Sequence, residues 1–253
     1  MFIYPKFNDN NVKELSNING VTQNMLQNIT VQLIKKNQVI NISHDSMETA
    51  VLLVKGAVVF TFQDNLYTAT RKNFFRDLPV CLHFSRCTEV SILALHDSEI
   101  LIQSTLNENI FPPKIFDKDN LRRFTSCKDK WENTAVRDVI TIIEDSNSPY
   151  SNLVLGEVLV PQGRWWSYIP HSHPHPEVYY YRFSNPNGFG ACFIDEDAYT
   201  VKDGSAGLFD GGKTHAQVTA PGYPMYCAWM IRHLDGNRWI DTRIDDPRHE
   251  WLL

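Results

Sequence analysis

At 253 residues the chain has room for one large β domain or two small ones, each burying a core of its own. The formal charge of −5 is spread without a long block of one sign, which argues against nucleic acid as a partner, and the most apolar run, residues 51–62, is too short to span a bilayer and is broken by Lys55. The start, MFIYPKFNDNN, lacks the basic-then-apolar order of a secretory signal, and the five cysteines form no CxxC, so reduced thiols and a cytoplasmic setting are expected.

In chain order, residues 11–26 carry the pattern of a short helix. Short segments rich in Val, Ile, Leu and Phe follow over residues 30–34, 49–53, 57–62, 89–95 and 99–104, and their period of two predicts strands. Phe111-Pro112-Pro113-Lys114 and the charged stretch 117–133 predict an extended, strand-free linker. The strand texture returns over 139–143, 153–159, 178–183, 190–194 and 225–232, and residues 246–251 predict a single helical turn. Many short strands with few helices define an all-β protein of sandwich or barrel type. The seam near residues 110–135 divides it into an N-terminal domain, 1–125, and a C-terminal domain, 126–253, of similar texture but with no alignable internal repeat.

Histidine is unevenly placed. Four of the nine lie between 171 and 215, three of them in the run His171-Ser172-His173-Pro174-His175, which leads through Pro176 to Glu177. Residues two apart on a strand face the same way, so His171 and His173 direct both imidazoles into one cavity. Pro174 and Pro176 cannot donate to a ladder, so the chain turns there and Glu177 opens the neighbouring strand. Downstream, Gly211-Gly212-Lys213-Thr214-His215 predicts a tight turn that delivers His215 at the start of a strand over 216–219. HxHxxxE joined to a later GxxH reads as a site for one divalent metal ion held by His171, His173, Glu177 and His215. Zinc and manganese suit the set best, and iron and nickel are compatible with it. His175, between two prolines, reads as solvated or as supporting a ligand, and the remaining histidines as structural.

These two motifs are the metal motifs of the cupin superfamily, and the likeness narrows further. Gly163-Arg164-Trp165-Trp166-Ser167-Tyr168-Ile169-Pro170-His171 resembles the segment leading into the metal site of bacterial 5-deoxy-glucuronate isomerases of myo-inositol breakdown. So do Glu177-Val178-Tyr179-Tyr180-Tyr181-Arg182-Phe183, residues 218–226, the ending Pro247-Arg248-His249-Glu250-Trp251 and, more distantly, Val136-Arg137-Asp138-Val139. The resemblance implies a bicupin, two double-stranded β-helix (jelly-roll-like) barrels, with the metal in the C-terminal one and a metal-free N-terminal one. It implies a metal-dependent aldose–ketose isomerase acting on a small sugar acid, with homo-oligomer formation compatible. Two departures stand out: only three residues separate His173 from Glu177, and Asp210 stands where the family often has proline. The short spacing also resembles the 4-deoxy-5-threo-hexosulose-uronate ketol-isomerase of pectin breakdown. A cupin dioxygenase with Fe(II) in the same ligands and a non-catalytic sugar-binding cupin are the other classes.

Within that reading, the metal clamps a carbonyl and its neighbouring hydroxyl while a proton moves from C2 to C1. Glu177 is both a ligand and a candidate proton carrier. By alternation from Glu177, Tyr179 and Tyr181 point inward as candidate donors to substrate, with barrel filling as the plain alternative, and Arg182 faces away. The substrate carboxylate calls for a cation, for which Lys213 is the nearest candidate, against a solvated turn lysine, and Arg164 the next. Trp165, Trp166 and Tyr168 are candidates to stack on a sugar face.

Overall fold

The computed structural model describes residues 1–253, mostly as β-strands, with three short 3-10 turns as its helical elements. No helix is long and apolar enough to cross a membrane. The chain forms two compact units, one of Lys6–Leu121 with Ile142–Val154, the other of Met1–Pro5, Arg122–Thr141 and Leu155–Leu253. Relative to the division expected at residue 125, Met1–Pro5, residues 122–125 and Ile142–Val154 fall in the other unit.

In the first unit, the segments expected as two strands are one 16-residue strand, Met47–Phe62, that changes partners midway. Its first half pairs with Ser98–Leu106 and Val80–Phe84, its second with Asn65–Arg71 and Val90–Ala94. The change falls at Gly56, where φ is +120° and an added Cβ would stand 2.2 Å from Ser98 Oγ. Only glycine accepts both that conformation and that approach. The sheets curl around Val51, Leu53, Phe60, Leu82, Phe84, Ile92 and Ile100, all fully buried.

Two sequence expectations fail in this unit. Residues 11–26 form no α-helix: Val12–Ser16 is a strand paired with Asn28–Ile34, and only Gln23–Met25 makes a 3-10 turn. The Asn17 side chain accepts from the Asn19 N–H and Thr22 Oγ1 from the Asn17 N–H, so the polar side chains satisfy the backbone in a turn and compete with the helix. The expected linker is not strand-free either, since Lys114–Phe116 pairs with Val80–Phe84 and Arg122–Ser126 with Arg137–Ile143. Segment Ile142–Val154 is held by a buried polar cluster. The Glu48 carboxylate accepts from Ser151 Oγ at 2.8 Å and from the Asn152 N–H, and it lies 2.9 Å from His83 Nε2.

The second unit contains a seven-stranded and a five-stranded sheet. The first runs in the order Phe2–Ile3, Ala206–Phe209, Glu177–Phe183, Met225–Arg232, Leu153–Val160, Arg137–Ile143, Arg122–Ser126. The second runs Asp197–Lys202, Phe189–Ile194, His215–Thr219, Trp165–Ser172, Ile244–Asp245. Phe2 stacks on Tyr199 at 5.5 Å and reaches Tyr181 at 5.9 Å, which explains why the first residues belong to this unit. Strands Trp165–Ser172 and Glu177–Phe183 follow one another across the Pro174/Pro176 turn, but they lie in different sheets and do not pair, contrary to the neighbouring-strand expectation. The predicted turn near residue 250 is the 3-10 turn Pro247–Leu252.

Candidate metal centre and its cavity

Three segments supply the histidine and glutamate side chains. Strand Trp165–Ser172 pairs with His215–Thr219 so that His171 stands directly opposite His215. Directly opposed residues of an antiparallel pair share a face, and the two rings lie 4.7 Å apart. Between Trp166 and His171 the register shifts, a bulge that re-aims the end of the strand. The chain then turns through the prolines, and Glu177 opens the facing strand.

The Gly-Gly turn is built against the histidine turn. A Cβ on Gly211 would stand 1.9 Å from the Pro174 carbonyl oxygen, and Gly212, at φ +84°, donates its N–H to the His173 carbonyl at 2.7 Å. Glycine is needed twice, once for space and once for conformation. This contact places His215 beside His173.

The ligand atoms of His173, Glu177 and His215 all lie within 4.8 Å of one another, and the three residues are buried. Glu177 Oε2 is 3.2 Å from His173 Nε2 and 3.4 Å from His215 Nε2. Each histidine turns its other nitrogen to a backbone carbonyl: His173 Nδ1 to His175 at 2.9 Å, His215 Nδ1 to Lys213 at 3.1 Å, His171 Nδ1 to Ile169 at 3.3 Å. A carbonyl only accepts, so Nδ1 carries the proton and the Nε2 lone pair is left for a metal. Burial opposes charge on all three rings. In His173 the hydrogen bond and charge of Glu177 outweigh it and raise the pKa, whereas burial lowers that of His215 to about 4 and that of His171 well below its ordinary value. His171 and His215 are thus neutral near pH 7, the state that binds metal. Imidazole lone pairs with one carboxylate fit a borderline divalent ion. His171 stands outside the tight group of three, although it lines the same cavity.

That cavity holds about 290 Å³ and is lined by His171, His173, Glu177 and Tyr179. Trp166, Trp229 and Trp239 wall it, and Arg122, Arg137 and Arg243 bring positive charge to it. Gly156 makes room for the wall, since a Cβ there would meet Trp229 Cζ2 at 2.3 Å. The Tyr179 hydroxyl lies 3.3 Å from both His215 Nε2 and Ser167 Oγ. Burial, reinforced by the charge of Glu177, holds its pKa well above 10, so it stays protonated.

The structure places several of the expected residues away from this cavity. Tyr181 is fully buried among Phe2, Trp166 and Tyr179 and does not line the cavity. Lys213 is exposed, is not on the cavity wall, and pairs with Asp195 at 2.6 Å, because the turn that delivers His215 inward sends the lysine outward. Arg164 does not line the cavity either, and Arg182 faces away to Asp203 at 2.8 Å. His175 is buried rather than solvated, with Nε2 against the Asn237 carbonyl at 2.7 Å. Trp166 faces the cavity, whereas Trp165 stacks on Phe193 at 5.6 Å. Arg122, Arg137 and Arg243, with Trp229 and Trp239, were not foreseen. The available signal was parity: Arg137, Val139 and Thr141 alternate along one strand and all reach the cavity.

A curled all-β fold in two units, one of which gathers inward-facing histidine and glutamate beside a cavity, is that of a two-barrel cupin protein with a candidate metal site. The chain belongs to the KduI/IolB family, whose sequence model matches residues 2–252. It is similar to the 5-deoxy-glucuronate isomerase of Bacillus licheniformis, 22% identical over 83% of this chain and 82% of that one. It is likewise similar to the enzyme of the same name from Geobacillus thermodenitrificans, 24% identical over 88% and 85%. Among solved structures, an IolB-like protein from Salmonella typhimurium superposes with a TM-score of 0.80 at 20% identity, over 89% of each chain. The oxalate decarboxylase of Lactobacillus farciminis, as its formate complex, gives 0.66 at 12% identity over 96% of this chain and 86% of that one. At these identities the structures speak for the fold alone.

Proposed function

We propose that this chain is a metal-dependent aldose–ketose isomerase that interconverts 5-deoxy-glucuronate and 5-dehydro-2-deoxy-gluconate in myo-inositol catabolism, the activity its relatives are named for. The observation that carries the reading is the buried His173/Glu177/His215 group beside a cavity of small-molecule size. In this reading His171 completes the ligand set, and zinc or manganese is the ion. A bound divalent ion supplies Lewis-acid polarisation of the substrate carbonyl and neighbouring hydroxyl.

The chain's own groups supply the rest. The Nδ1 contacts of His171, His173 and His215 to backbone carbonyls hold the rings in one tautomer. Tyr179, which keeps its proton, donates a hydrogen bond to a substrate oxygen rather than acting as a base. Glu177, the carboxylate of the buried ligand group, is the candidate carrier of the proton that moves from C2 to C1. The indole walls limit the water that reaches the enediol.

The test is turnover of 5-deoxy-glucuronate by purified protein, joined to elemental analysis. Chelation should abolish turnover, and Zn²⁺ or Mn²⁺ added under anaerobic conditions should restore it. A metal-loaded protein that leaves this substrate unchanged, or that consumes oxygen with it, refutes the proposal.

A further inference from the structure

Among the cations of the cavity, one is in an unusual state. Arg122 is paired with Asp241 at 3.2 Å, and Arg243 is engaged by Asp245 and by the Ile169 carbonyl. Both side chains are about a third exposed, at 38% and 32%. Arg137 is only 7% exposed and has no carboxylate partner. Its Nη1 donates to the Ala135 carbonyl and to Cys127 Sγ, both at 3.0 Å. A backbone carbonyl carries no net charge, and the pull of Cys127 Sγ on the guanidinium is outweighed by the burial that opposes it, so the charge is only partly offset. Burying a charge without a counter-ion costs several kcal/mol. Burial indeed lowers the Arg137 pKa, although arginine remains charged at any physiological pH.

The orientation adds specificity. With Nη1 anchored on the backbone, the Nε and Nη2 edge makes no hydrogen bond to the protein. That edge carries two parallel N–H donors, the fork that matches the two oxygens of a carboxylate. The wall beside it is aromatic: Trp166, Trp229 and Trp239 line the same cavity.

We propose that Arg137 binds the carboxylate of the substrate, through Nε and Nη2, and is the residue that makes the site select a sugar acid over a neutral sugar. This rests on the isomerase reading for the identity of the acid, but the preference for a carboxylate stands on the guanidinium itself. The reacting aldehyde and the carboxylate of 5-deoxy-glucuronate are at opposite ends of its carbon chain. Arg137 therefore fixes which end meets the histidines, while touching none of the bonds that change.

The experiment compares wild type, Arg137→Met and Arg137→Lys as metal-loaded proteins. Binding of D-glucuronate and of D-glucose, which differ at one terminal carbon, is measured by calorimetry beside KM and kcat for 5-deoxy-glucuronate. Wild type should prefer the acid by on the order of 100-fold, the value of a charged, bidentate hydrogen bond. Arg137→Met should bring that ratio close to one with glucose binding and metal content unchanged, and should raise KM more than it lowers kcat. Arg137→Lys keeps the charge but loses the fork, and should retain no more than about a tenth of the preference. It also serves if the methionine variant does not fold. Survival of the acid preference at its wild-type size in either variant overturns the proposal, as does its absence in wild type or an equal loss of both sugars. A wild type that fails to turn over 5-deoxy-glucuronate, but whose acid preference is erased with Arg137, leaves this proposal standing and removes the isomerase reading. Turnover with a preference indifferent to Arg137 does the reverse.

Discussion

Replacing Gly211 with alanine should uncouple the two ligand-bearing turns. The added Cβ would stand 1.9 Å from the Pro174 carbonyl oxygen. Ordinary carbon–oxygen contact lies at about 3.3–3.6 Å, so the two turns must part by roughly 1.4 Å or more. The atom struck is backbone, so no side-chain rotation relieves the clash. Pro174 adjoins His173, and the Gly212 N–H to His173 carbonyl bond of 2.7 Å runs through the same contact. Metal coordination tolerates displacements of only about 0.2 Å. The expected result is a metal affinity lower by about 10- to 100-fold, the usual effect of disturbing the groups that orient a ligand. Overpacking should cost a further 1–3 kcal/mol of stability, roughly. Competition with a chromophoric chelator gives the affinity, and urea denaturation of the metal-free proteins gives the stability. A Gly211→Ala protein that binds zinc as tightly as wild type would refute the claim that this contact sets the position of His215.

Three further outcomes separate the residues. Tyr179→Phe should lower kcat by about 10²-fold or more while metal content is kept, and Tyr181→Phe should leave kcat within about twofold, because only the first lines the cavity; steady-state kinetics with metal analysis decides. Lys213→Met should leave KM and the urea midpoint unchanged, since an exposed pair with Asp195 contributes little, and a raised KM would restore Lys213 to the site. Burial pushes the Cys192 thiol up to about 11. The thiolate is the reactive form and is scarce below that pH, about one part in a thousand at pH 8. Iodoacetamide at pH 8 should therefore modify exposed Cys87 and spare Cys192, which is both protonated and fully buried, as read by mass spectrometry.

Local chemistry made much of this protein legible from its residues. Alternation of Val, Ile, Leu and Phe marks the strands because the period of a pleated strand is two, and this holds wherever the segment ends up. HxHxxxE and the Gly-Gly turn before His215 are short-range patterns, so the buried group of His173, Glu177 and His215 could be named before any fold was known. The tertiary structure alone decided what depends on contacts between distant segments. Residues 49–62 read as two strands because nothing in them shows that Gly56 bends one strand past Ser98. Residues 11–26 read as helical because the pairing that holds Val12–Ser16 extended is supplied by Asn28–Ile34. Lys213 is the nearest candidate cation by its place in the chain, weighed against a solvated turn lysine, and the tight turn sends it outward to Asp195. Arg137 sits 34 residues before His171 in the sequence. What makes it a candidate for the site is a cavity wall assembled from several strands, a hydrogen bond from Nη1 to a carbonyl two residues away, and the absence of any carboxylate beside it, and none of these is written in the sequence around it.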